Sequence, residues 1–237
     1  MRDAAGALRD VSREVSVTFG IDDDRVSPPE SPFAALVRRI DGRYPRDPFG
    51  GDPHLQDLVS PFFALVARVD VVHGDRIPEH GPGLLVANRG LGIVEPAALG
   101  MAVRRVRGRR LRIVGTPDAP FVGDAFRALG GIAEYPNDVA AVLRAGHLAA
   151  VPLGPTWLRP GAGTPPLELL FAATGFPVVP VAVLPGGPFG LPLRAWRVVV
   201  GDPIPAAVDP DDPLAAAELA EAAREGVEGL LRGQRPR

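Results

Sequence analysis

From about residue 69 to the C-terminus, short apolar runs alternate with amphipathic segments, and this alternation constrains the chain more than any other feature. VDVVHG (69–74), GPGLLVAN (81–88), RLRIVGT (110–116), IAEYP (132–136), LAAVPLG (148–154), FPVVPVAVLPG (176–186) and AWRVVVGDPIP (195–205) have the length and β-branched content of strands. Between or after them lie helical patterns: EPAALGMAVRRVRG (95–108), PFVGDAFRALGG (120–131), NDVAAVLRAGH (137–147), PPLELLFAATG (165–175) and a closing DDPLAAAELAEAAREGVEGLLRG (211–233). Asn137 is placed to cap its helix, and a proline near the start of the last segment suits a first helical turn. Such alternation predicts an α/β fold, a central mixed sheet flanked by helices.

The N-terminal part is different. Residues 1–52 read as an arm or linker with a short helix at FAALVRRI (33–40), and DDDRVSPPESP (22–32) mixes charge with proline. The α/β domain is expected over 53–237. Its first segment, HLQDLVSPFFALVARV (54–69), places Leu55, Leu58, Phe62, Phe63, Leu65 and Val66 at helical spacing. It reads as a helix packed on the core, kinked or restarted at Pro61. The other reading is an amphipathic helix whose Phe62–Phe63 pair touches a membrane.

Composition narrows the chemistry. The chain has 237 residues, 46% of them hydrophobic, and enough apolar material for a sizeable core. A formal charge of −2 gives no reason to expect a nucleic-acid partner. All 26 basic residues are arginine, so neither a lysine Schiff base nor a P-loop lysine is available. There is no cysteine, which removes thiol nucleophiles, disulfides and cysteine-ligated metals. MRDAAGALRDVSREVSVTFG lacks a continuous apolar core, so no signal peptide is expected, and no run approaches the ~18 apolar residues of a membrane span. A cytoplasmic protein, soluble or peripheral at the inner membrane face, is the expectation.

Three features compete for a functional role. VANRGLGIVEP (86–96) takes a buried strand into a glycine-containing loop, where open α/β sheets place ligands. Gly90 and Gly92 allow tight geometry without forming a dinucleotide fingerprint. Arg89 can hold a phosphate or pair with Glu95, but it cannot accept a proton, and a purely structural loop fits equally well. RRVRGRRLR (104–112) would by itself suggest an anionic partner; because it straddles a helix end and a strand start, it reads better as a solvated helix terminus. His54, His73, His80 and His147 show neither metal-ligand spacing nor a serine-hydrolase pattern.

In order and spacing, these segments resemble the glycerolipid acyltransferase superfamily from about residue 70 onward. GDRIPEHGPGLLVAN leads into the position of its first motif. FRALGGIAEYPNDVAAVLRAGHLAAVPLGPTW spans the second and third, FPVVPVAV is similar to the fourth, and VVVGDPIP to the strand and turn that follow. The resemblance implies a His-x4-Asp pair in which the histidine deprotonates an acceptor hydroxyl for attack on an acyl thioester. Here Arg89 stands at the histidine position and Val94 at the aspartate position, with Glu95 one residue out of register. Glu134 or Tyr135 occupies the place of the phosphate-binding arginine. The third motif, usually Phe-Pro-Glu-Gly, reads Val151-Pro152-Leu153-Gly154.

The resemblance thus implies a scaffold that has lost the base, its orienter, the phosphate ligand and the third-motif acid together. The expected function is a lipid- or partner-binding module without acyl transfer. Its ligand would be an acyl chain or lysophospholipid, with an anionic membrane surface or a protein as further partner. The residues implied in binding are Asn88, Arg89, Glu134, Tyr135, Pro152, Leu153, Gly154 and Thr156. The alternative is an active enzyme with a displaced base, Glu95 or a histidine brought near by the fold. No resident cofactor is implied; acyl-CoA or acyl-carrier protein would be the donor.

Overall fold

The computed structural model describes residues 37, 46–66, 68–88, 94–116, 122–153, 167–185, 195–210 and 212–234. The expectations for DDDRVSPPESP and FAALVRRI fall outside these residues apart from Val37, which is helical and exposed. The elements run α1 (Pro53–Val66), β1 (Arg68–Val72), a 3-10 turn (Gly74–Arg76), β2 (Gly83–Asn88), α2 (Val94–Arg107), β3 (Leu111–Val114), α3 (Val122–Ala128) and β4 (Gly131–Ile132). They continue with α4 (Pro136–Arg144), β5 (Leu148–Leu153), α5 (Leu167–Phe171), β6 (Val178–Pro185), β7 (Ala195–Val200) and α6 (Pro213–Gly233).

The strands form one seven-stranded sheet in the order β1-β7-β6-β2-β5-β3-β4. All neighbours are parallel except β6 and β7, which pair antiparallel from Val181 opposite Val200 to Pro185 opposite Trp196. The sheet is therefore mixed, as the alternation predicts. β2 lies at its centre, and Gly83 to Ala87 are all buried, which is why GLLVA reads as an unbroken apolar run.

Period-two alternation sends its side chains into two cores. Leu85 and Ala87 join Leu99, Ala102 and Val103 of α2, while Leu84 and Val86 face Val139 and Leu143 of α4, Leu170 of α5 and Ala223 of α6. The result is a three-layer arrangement, helix on sheet on helix. Residues 46–52 already pack against it. Phe49 meets the ring of His147 edge-on at 5.6 Å, the Asp47 carboxylate pairs with Arg112, and the Asp52 N–H donates to the Ala128 carbonyl at 2.9 Å.

Three local expectations need correction. α4 begins at Pro136 and its cap residue is Tyr135, with no side-chain cap bond. Asn137 is thus inside the helix; proline, with its preset φ and no N–H to satisfy, takes the first helical position instead. Pro61 does not restart α1, which continues through it as one element. Proline there leaves unmade the bond that a residue-61 N–H would have donated to the residue-57 carbonyl.

The largest departure is the arginine run. Arg109, Arg110 and Arg112 are buried, and the run binds its own chain where a solvated terminus was expected. Arg109 donates to the carbonyls of Pro78, Gly81 and Gly146, Arg105 to that of Val69 at 2.9 Å, and Arg107 to that of Ile77 at 2.7 Å. Gly108, at φ 63°, turns the chain sharply from α2 into β3 and so carries the run along the inside of the bend. There the five-donor guanidinium fork satisfies carbonyls that the turns leave free.

A close approach fixes the short β4. A Cβ on Gly131 would lie 2.1 Å from Thr116 Oγ1 and 2.9 Å from the Phe126 carbonyl oxygen. The hydroxyl can rotate away, but the backbone carbonyl cannot. Gly131→Ala should therefore cost about 1–3 kcal/mol, read as a lower urea midpoint at unchanged slope; an unshifted midpoint would show that β4 can yield.

Candidate functional site

The carboxyl ends of β2, β3 and β5 open beneath α1 and α2, and a cavity of about 540 Å3 lies there. Its floor is the sheet, through Ala87, Ile113 and Ala150. Val59, Ser60 and Phe63 of α1 form one wall, Phe126 and Leu129 around α3 another, and α2 a third. α2 contributes Glu95, Pro96, Leu99, Gly100, Met101 and Arg104. With Ala97 they make two groups of three, 95–97 and 99–101, one helical turn apart, with Arg104 a turn further on, and so form one broad stripe of the helix. The lining is predominantly apolar, as a site for a hydrocarbon chain requires.

Two polar groups sit at opposite ends of that stripe. Glu95, in the first turn of α2, is half-buried; its Oε2 is shielded and makes no hydrogen bond. Nine residues on, or roughly 13 Å along the helix axis, Arg104 donates to Asp57 Oδ1 at 2.6 Å, and Arg110 donates to Asp57 Oδ2 at 2.9 Å. The Asp57 and Arg110 side chains are 6% and 4% exposed, so this ion cluster is an internal structure tying α1 to α2 and β3.

The expected site residues are only partly brought together. Asn88, Glu95 and Pro152 line the cavity. The Asn88 amide is also structural: its Nδ2 donates to the Val183 carbonyl at 2.9 Å, and its Oδ1 accepts from the Val183 N–H at 2.5 Å. It thereby extends the β2–β6 ladder where β2 turns away. Leu153, which the resemblance sets at the position of the third-motif acid, points into the core shared with α4, α5 and α6. Glu134 is half-buried and Tyr135 is exposed, and neither lines the cavity. Arg89, Gly154 and Thr156 lie outside the described residues, as does the side chain of Val94.

No histidine of the chain lines the cavity. His147 is buried at the amino end of β5, six residues and about 20 Å from the strand's carboxyl end. His73 occupies a left-handed turn, His80 lies beside Glu79 at the surface, and His54 is on α1. Asp57, Gly100 and Met101 were not singled out by sequence. Helical spacing from Pro96, the last residue of VANRGLGIVEP, would have found Gly100 four residues on, whereas Asp57 carries only the weak signal of an acid within an apolar helical stripe.

No family model matches the chain. It is 31% identical to an uncharacterized protein of Mycobacterium leprae, with 83% of this chain and 69% of that protein aligned. It is 30% identical to uncharacterized proteins of Mycobacterium bovis and Mycobacterium tuberculosis, over 83% of this chain and 71% of each. The chain belongs to the family that these mycobacterial proteins form. In fold it is similar to the 1-acyl-sn-glycerophosphate acyltransferase PlsC of Thermotoga maritima, at a TM-score of 0.50 and 18% identity, with both chains covered in full. The architecture is therefore that of a PlsC-like acyltransferase fold.

Proposed function

We propose that the protein uses this fold to hold the hydrocarbon chain of a lipid or lysophospholipid, and that it does not perform His/Asp-dependent acyl transfer. The observation that carries this reading is an apolar cavity at the carboxyl end of the sheet with no histidine in its lining. Arginine, valine and leucine at motif positions 89, 94 and 153 agree with it, since none can take a proton from a hydroxyl at neutral pH. A bound chain would be passed to, or read by, a partner protein or a membrane surface. Among the described residues no helix is long and apolar enough to cross a membrane, and Arg109, Arg110 and Arg112 of the arginine run are buried rather than open to anionic headgroups.

The test pairs binding with turnover. Dodecanol should bind saturably to the purified chain. Dodecanoyl-CoA or dodecanoyl-carrier protein, supplied with glycerol 3-phosphate or lysophospholipids, should give no acceptor-dependent thiol release. Turnover would overturn the proposal.

A second reading rests on Glu95. A carboxylate at the carboxyl end of β2 is where a displaced base would stand, with an acyl-CoA or acyl-carrier thioester as donor. If it acts so, Glu95→Gln should lower thiol release by roughly 10²–10⁴-fold. Unchanged release in that variant would exclude it.

A further inference from the structure

The cavity wall holds one carboxylate with an oxygen for which the described residues supply no donor. Glu95 is half-buried, and its Oε2 is shielded from solvent and accepts no hydrogen bond. This is unusual here, because the other acidic side chain beside the cavity, Asp57, is held by two guanidinium groups. A shielded carboxylate oxygen without a donor is costly, and the cost is recovered when something that enters the cavity donates to it. A carboxylate only accepts, so the incoming group must carry an N–H or O–H. The terminal torsion of a glutamate is broad, which lets either oxygen turn toward a ligand.

We infer that Glu95 selects the polar end of the bound molecule: the site takes a long-chain amphiphile whose head is a hydrogen-bond donor, a hydroxyl or above all a protonated amine, and disfavours a free fatty-acid anion. This rests on the chain-binding reading of the cavity and adds to it the chemistry of the head. The apolar stripe of Leu99, Gly100 and Met101, beginning one turn beyond Glu95, would hold the chain while its head stays beside the carboxylate. A charge-assisted hydrogen bond in an apolar wall discriminates more strongly than a neutral one, and a second carboxylate placed against the first is repelled.

The test is a titration of the full chain with dodecylamine, dodecanol and dodecanoate, each below its aggregation concentration. Dodecylamine should bind roughly 10- to 100-fold more tightly than dodecanoate, with dodecanol between them. Glu95→Gln keeps the shape and removes the charge, so it should bring the amine and the acid to within about threefold of each other. Glu79→Gln makes the same charge change at an exposed position and should leave the ranking intact. Equal binding of all three by the unaltered chain, or an amine preference that persists in Glu95→Gln, would overturn the inference while leaving chain binding in place. Binding of none would overturn both.

Discussion

Asp57→Ala should destabilise the protein by about 3–5 kcal/mol, the cost of removing one partner from a buried ion cluster. The carboxylate is 6% exposed and receives Arg110 at 2.9 Å and Arg104 at 2.6 Å, so its loss strands positive charge in a medium that solvates it poorly. Net stabilities of domains are themselves about 5–15 kcal/mol, which makes this a large fraction of the total. Asp57→Asn keeps the size and one acceptor oxygen and should lose less. Urea unfolding at two salt concentrations checks both statements, because a shielded cluster is screened far less than a surface pair. An Asp57→Ala midpoint equal to that of the unaltered protein would show that the arginines reach other acceptors. The effect should extend to the cavity, since the same carboxylate joins α1, which supplies Val59, Ser60 and Phe63, to α2.

Gly100→Phe should abolish most chain binding without weakening the fold. Gly100 lies in α2 and lines the cavity, and an added Cβ there meets nothing within 4 Å. A larger side chain therefore starts there without a clash at its Cβ and, from a position that lines the cavity, takes up cavity volume. Glycine is also the poorer helix former, so stability should hold or rise by a few tenths of a kcal/mol, roughly the propensity difference. Displacing about three methylenes of a bound chain at ~0.8 kcal/mol each corresponds to roughly 50-fold weaker binding. Parallel titration with dodecanol and thermal unfolding separates the two effects. A folded variant that still binds dodecanol as before would place the chain elsewhere on the molecule.

These two sites differ in how far local sequence announces them. Gly100 follows from Pro96, four residues earlier, by helical spacing, because the period of a helix is a property of the local chain. Asp57 does not, because its partners stand 47 and 53 residues away along the chain. The arginine run makes the same point in reverse. Its composition suggests exposure, yet the bend at Gly108 places its guanidinium groups against carbonyls of the turns at Asp75 to Gly81 and at Gly146.

By itself the sequence determined the succession of strands and helices, the apolar run of β2, and the identities of residues 89, 94 and 153, which the resemblance sets at motif positions. Each depends on side-chain period, turn residues or identity, all of which are local. The tertiary structure alone decided that β7 enters the sheet between β1 and β6 antiparallel to β6, that Asn88 is engaged by the Val183 backbone, and that Leu153 faces the core. It alone decided, too, that among the described residues the Oε2 of Glu95 has no donor beside an apolar cavity. These are outcomes of long-range pairing, where the free energy of a contact depends on which distant segment arrives, and no local period encodes that.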